Sequence, residues 1–104
     1  QLIHNLEIRP AVLTPNGDGV GDRADIRFSV PKLHRAATVR IYALDGRLIQ
    51  TREAQQGSDG LWHYTWLGRD VAGKVVVPGI YLVRISLDSQ TDTENLMRTI
   101  AVAY

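Results

Sequence analysis

Apolar residues in this chain return at every second position, and no long window shows helical spacing. A strand turns alternate side chains to opposite faces, whereas a helix repeats a face every three or four residues. The pattern therefore commits the chain to β-structure. Residues 25–30 (DIRFSV) put Ile26, Phe28 and Val30 on one face, and Pro31 ends the run. Residues 37–43 (ATVRIYA) point Val39 and Ile41 inward and Arg40 and Tyr42 outward. Residues 61–66 (LWHYTW) gather Trp62, Tyr64 and Trp66 on one face, and 79–87 (GIYLVRISL) make the clearest strand. Shorter runs at 6–9, 47–51, 74–77 and 96–102 complete the set, with polar loops at 53–60 and 88–94. About seven short strands with turn signals about every ten residues predict an all-β, Ig-like or fibronectin-III-like β-sandwich. A small barrel is the second architecture the pattern allows.

The 104 residues suit one domain spanning 1–104, with 44% hydrophobic and 22% charged residues, ordinary values for a globular chain. A formal net charge of +1, with both signs mixed along the chain, offers no electrostatic footprint for nucleic acid or an anionic membrane. No apolar run reaches membrane-spanning length. The absence of cysteine excludes disulfides and thiolate zinc sites. Gln1 opens abruptly on strand-like sequence, which is expected of a segment excised from, or C-terminal in, a larger exported protein.

Three motifs share one source. Residues 66–85 read Trp66-Leu-Gly68-Arg-Asp70-Val-Ala-Gly73, then Val77, Gly79, Tyr81, Arg84 and Ile85. This run resembles the W-D-G-x-D-x-x-G-x-x-V-x-x-G-x-Y-x-x-R-I signature of FlgD-type Ig-like domains, modules named after the flagellar hook-capping protein. Residues 39–48 (VRIYALDGRL) resemble the same family's hairpin, and 14–22 (TPNGDGVGD) its P-N-G-D-G-x-N-D opening. The sequence departs from the pattern at Leu67, Ala43 and Gly21. The resemblance implies a non-catalytic accessory module of a secreted or cell-surface bacterial protein, acting as spacer, anchor or secretion-associated domain. Its partners would then be other proteins or the rest of the parent chain.

The TPNGDGVGD stretch also reads as chemistry. In an EF-hand register Asn16, Asp18, the Val20 carbonyl, Asp22 and Asp25 fall where oxygen ligands for a structural calcium belong, with Gly19 at the sharp turn. Thr14 at the first position is a poor ligand, and Asp25 begins a strand. The competing reading is a metal-free turn whose aspartates accept backbone N–H groups.

Trp62, Tyr64 and Trp66 invite two readings: a sandwich core, or a sugar-stacking platform in a carbohydrate-binding module with a polysaccharide partner. His4, His34 and His63 have no metal-ligand spacing and read as surface or edge positions. No nucleophile elbow or carboxylate groove is present, so no enzyme activity is expected. Neither Lys32, after a proline at a strand end, nor Lys74, in a turn, reads as buried, so an internal isopeptide bond is not expected. Tyr81 reads as a tyrosine-corner residue. Gly79 reads as a site of close strand approach or a bulge, and Arg69 with Asp70 as a turn-stabilising pair. A third reading is a subunit-contact domain of a filament or hook-cap-like assembly, pairing through an exposed edge at 47–51 or 96–102.

Overall fold

A computed structural model of the protein describes residues 4–15, 21–29, 37–88 and 93–103. Two antiparallel-dominated sheets face each other, and no helix lies among the described residues. Sheet A is formed by β1 (His4–Arg9), β3 (Ala24–Ser29), β7 (Trp62–Trp66) and β6 (Gln55–Gln56), in the order β1-β3-β7-β6. Sheet B carries β2 (Val12–Leu13), β9 (Thr93–Val102), β8 (Gly79–Asp88), β4 (Ala37–Ala43) and β5 (Leu48–Glu53), ordered β2-β9-β8-β4-β5. This is the expected sandwich. The runs between 6–9 and 96–102 lie on strands, except 74–77, which makes one isolated bridge between Val75 and Arg69.

Alternation builds the core. Ile26 and Phe28 of β3, Val39 and Ile41 of β4 and Val83 and Ile85 of β8 all turn inward and are buried. Each such side chain removed from water stabilises the fold by about 1.5–3 kcal/mol. Arg40 and Tyr42 lie on the opposite, outer face of sheet B, as their spacing predicts. Val30, the Pro31 stop, Lys32 and His34 fall outside the described residues, as does 89–92 of the loop expected at 88–94, whose ends Asp88, Thr93 and Glu94 instead lie on β8 and β9.

The Asp45-Gly46 pair closes the β4–β5 hairpin. Gly46 N–H donates to the Ala43 carbonyl at 3.0 Å, Arg47 N–H to Asp45 Oδ1 at 3.0 Å, and Gly46 has φ of 91°, which glycine alone adopts without strain. A register shift between Ile41 and Tyr42 follows, so Ile49 and Gln50 are both buried. The polar stretch expected as a loop at 53–60 in fact holds β6, where Gln55 and Gln56 pair with His63 and Trp62. Buried Ala54, bonded to the Ala37 carbonyl at 2.9 Å, is the corner where the chain leaves sheet B for sheet A.

Candidate functional site

The loop joining β7 to β8 carries the densest set of directed polar contacts. Trp66, at 1% exposure, ends β7, and its indole Nε1 donates to the Arg69 carbonyl at 3.0 Å. Asp70 Oδ1 accepts the N–H groups of Ala72 at 3.0 Å and Lys74 at 2.9 Å. The backbone closes on itself through Gly73 N–H to the Asp70 carbonyl and Val76 N–H to the Gly68 carbonyl, each at 2.9 Å. Arg69 Nη1 reaches the Gly73 carbonyl at 2.8 Å. The expected Arg69–Asp70 pair is thus replaced by two side chains that each hold loop backbone, because the carboxylate is turned inward to the turn it caps.

The loop is also tied to its surroundings. Val71 N–H donates to the Ile49 carbonyl at 2.9 Å, and the buried Gln50 amide donates to the Arg69 and Asp70 carbonyls at 3.4 and 3.2 Å. Gly68 has φ of 73°, and a Cβ there would stand 3.1 Å from Leu13 and Pro15, so its bareness lets the loop rest on β2. Tyr81, on β8, donates its hydroxyl to the Val77 carbonyl and sets its ring edge-on to Trp66 at 5.7 Å. Gly79 has open space where a Cβ would be and φ of 156°, so backbone conformation, not close approach, selects glycine there.

Beside this loop, Gln50, Arg52, Tyr64 and Leu67 border an open depression of about 260 Å³. Burial pushes the Tyr64 phenol up, partly offset by the charge of Arg52. Leu67 is half exposed on its rim, so the departure from the family's aspartate leaves an apolar side chain there. A second depression of about 410 Å³ lies among Asn5, Glu7, Arg9, Arg27 and Leu61. Glu7 meets both Arg9 and Arg27 there at 3.3 Å, one carboxylate shared by two guanidiniums.

Of the three aromatics on β7, Trp66 is fully covered, while Trp62 and Tyr64 are half-buried and packed against the core. Trp66 therefore offers no stacking face. His63 sits 3.1 Å from Asp59, and that hydrogen bond, with one from Leu61 N–H, holds the Asp59 carboxyl below the usual carboxylate range. The His4 side chain and all of His34 lie outside the described residues.

Of the five calcium candidates, Asn16, Asp18 and Val20 also fall outside the described residues. The base of their loop is closed by Thr14 N–H donating to the Gly21 carbonyl at 2.7 Å, with Asp22 half-buried beside it. Asp25 points to the outer face of sheet A, where Thr65 Oγ1 donates to its Oδ1 at 2.9 Å. Asp25 and Asp22 are the two of the five candidates whose side chains the structure describes, and Asp25 already holds Thr65 through Oδ1. Among the described residues, no three histidine or acidic side chains converge as metal ligands.

A family model described as the FlgD Ig-like domain matches residues 13–91. The chain belongs to the FlgD Ig-like family. No curated protein matches it. Among solved structures, PorZ of Porphyromonas gingivalis, described as an essential bacterial surface component of the type-IX secretion system, is 20% identical with a TM-score of 0.65, covering 96% of this chain and 12% of PorZ. Dimeric latent PorU of the same organism is 21% identical with a TM-score of 0.71, covering 94% of this chain and 9% of its own. An engineered protein is 17% identical with a TM-score of 0.63, covering 96% and 20% respectively. The chain thus spans between 9% and 20% of the solved chains it matches, and at these identities the likeness is one of fold. Trp66, Gly68, Asp70, Gly73 and Tyr81, the residues of the 66–85 motif, take part in holding the β7–β8 loop together with Gln50, Arg69 and Val71.

Proposed function

We propose that this chain is a non-catalytic accessory β-sandwich module of a bacterial protein carried to the cell surface or beyond. It would act as spacer, anchor or secretion-associated domain, in contact with other proteins or with the rest of its parent chain. The observation that carries this reading is how the signature residues are used. Trp66, Asp70 and Tyr81 spend their polar groups on backbone atoms of their own loop. Family membership over residues 13–91 supports the same reading, as does the likeness to PorZ, itself described as a bacterial surface component.

Deleting the segment from its parent protein tests the proposal. Surface display or export is expected to fall while the parent's own activity in a lysate persists. Unchanged export together with lost activity would overturn it. The carbohydrate-binding alternative loses one of its three rings, since Trp66 is enclosed, and would rest on the half-buried Trp62 and Tyr64. Polysaccharide titration is expected to leave tryptophan emission unchanged. Structural calcium remains part of the proposal through Asn16, Asp18, the Val20 carbonyl, Asp22 and Asp25, the last of which also holds Thr65 through Oδ1.

A further inference from the structure

Sheets expose rows of unpaired N–H and C=O groups at their edges, and natural proteins shorten, bend or cover such edges. Three of the four edges here are treated in that way. β1 carries a register shift between His4 and Glu7, with Asn5 at φ of 55°. β6 is two residues long, and β5 is covered at Ile49 by the N–H of Val71. β9 differs: it pairs with β8 through ten consecutive residues without a shift, and among the described residues only β2 pairs with its other edge, at Ala101 and Val102.

The orientation of the open groups follows from the covered end. Ala101 N–H donates outward to the Ala11 carbonyl at 3.0 Å and Ala103 N–H to the Leu13 carbonyl at 2.9 Å. Along an antiparallel strand, alternate residues direct both backbone groups to the same side. The backbone N–H and C=O groups of Thr93, Asn95, Met97 and Thr99 therefore point away from β8, while the Asn95 side chain stays on it, accepting from Arg84 and Ser86. Ile100 and Leu96 belong to the core-facing side, where Ile100 is buried and Leu96 packs against the core. Arg98, opposite Val83 on that side, emerges at the rim, and its Nη1 donates to the outward Met97 carbonyl at 2.8 Å.

The stretch from 93 to 99, Thr-Glu-Asn-Leu-Met-Arg-Thr, is complementary to itself when reversed about Leu96. We infer that β9 pairs antiparallel with β9 of a second copy of this chain, with Leu96 on the two-fold axis. In this register Met97 meets Asn95 and Thr99 meets Thr93, and these outward pairs exchange about eight backbone hydrogen bonds. Leu96 meets its own copy on the core-facing side. Glu94 and Arg98 fall opposite each other twice, so the guanidinium leaves the Met97 carbonyl and takes a carboxylate, freeing that carbonyl for the ladder. The contact is isologous and closes at two copies. The window ends where β2 begins, so the two sheets B join into one. Pairing of copies needs only this edge and holds whether or not the chain serves an exported protein.

Sedimentation equilibrium of the 104-residue chain tests the inference. Between about 10 μM and about 1 mM, the range suited to a small transient contact, the apparent mass is expected to rise from the monomer toward the dimer. Glu94→Arg and Arg98→Glu each set like charges opposite each other twice and are expected to weaken association about tenfold or more. The double variant should restore it. Met97→Pro removes an outward N–H while leaving the β8 ladder, and should abolish association with the melting temperature little changed; if it unfolds the chain, the charge pair decides alone. A monomer throughout the range overturns the inference, and so does a dimer that ignores the charge reversals.

Discussion

Asp70→Ala measures what the β7–β8 loop owes to one carboxylate. Oδ1 of Asp70 accepts two backbone N–H groups, at 3.0 and 2.9 Å. The ties through Trp66 Nε1 and Val71 N–H do not pass through it, so the loop keeps its place while losing its internal brace. A net hydrogen bond contributes about 0.5–1.5 kcal/mol, so two contribute about 1–3 kcal/mol. Because Asp70 is only half-buried, water reaches the freed N–H groups, and the loss should fall near about 1.5 kcal/mol. In a chain of this size that lowers the melting temperature by about 6–12 °C. Asp70→Asn keeps the accepting oxygen and should lose less than half as much. Urea melts followed by tryptophan fluorescence, with an unchanged m-value, supply the measurement. A loss below about 0.5 kcal/mol for alanine, less than one ordinary hydrogen bond, would refute the bracing role. Asparagine costing as much as alanine would show that charge, not the accepting oxygen, matters.

Tyr81→Phe removes the hydroxyl bond to Val77 but keeps the ring against Trp66, so it should cost about 1 kcal/mol in the same melts. For Asp59, folding holds the carboxyl below its ordinary range through His63. Its stabilising contribution is therefore present above the unfolded-state value and is lost as pH falls through the folded one. Asp59→Asn should flatten the acid side of the melting-temperature profile, and an unchanged slope would count against the His63 contact. For calcium, saturation at about a hundredfold excess over its dissociation constant stabilises by about 2.7 kcal/mol. Asp22→Asn should erase that response and Asp25→Asn should weaken it. A melting temperature indifferent to millimolar calcium and to chelator ends the calcium reading.

What could be read from the sequence was whatever repeats. Ile26 and Phe28, Val39 and Ile41, and Val83 and Ile85 announce their inward faces because period two survives over five or more residues. β2 and β6 are two residues each, too short to display a period, and Gln55 and Gln56 join a sheet only because Trp62 and His63 lie alongside. At 74–77 the apolar run looked like a strand, yet only Val76 is buried there, as a single plug under the Asp70 turn. Ile49 and Gln50 defeat alternation because the register shift near Tyr42 puts neighbours on the same side. Tyr81 was legible as a corner residue. The division of labour between Arg69 and Asp70 was not, since nothing in a dipeptide tells which backbone groups it will meet. Nor was the Asp25–Thr65 hydrogen bond legible, because it joins β3 to a strand forty residues further along the chain.

β2 and β9 run in the same direction, and the Ala11 and Leu13 carbonyls hold the N–H groups of Ala101, on β9, and Ala103, just past its end. Tension drawn through the chain before β2 and after β9 slides these strands past each other lengthwise. Neighbouring bonds then share the load and must fail together, whereas a hairpin pulled open at its mouth yields one rung at a time. Two rungs are few, but they lie at the end of a strand that also carries the long ladder to β8. A pull on those two ends is thus met by shear, the mode in which this corner of the fold resists best.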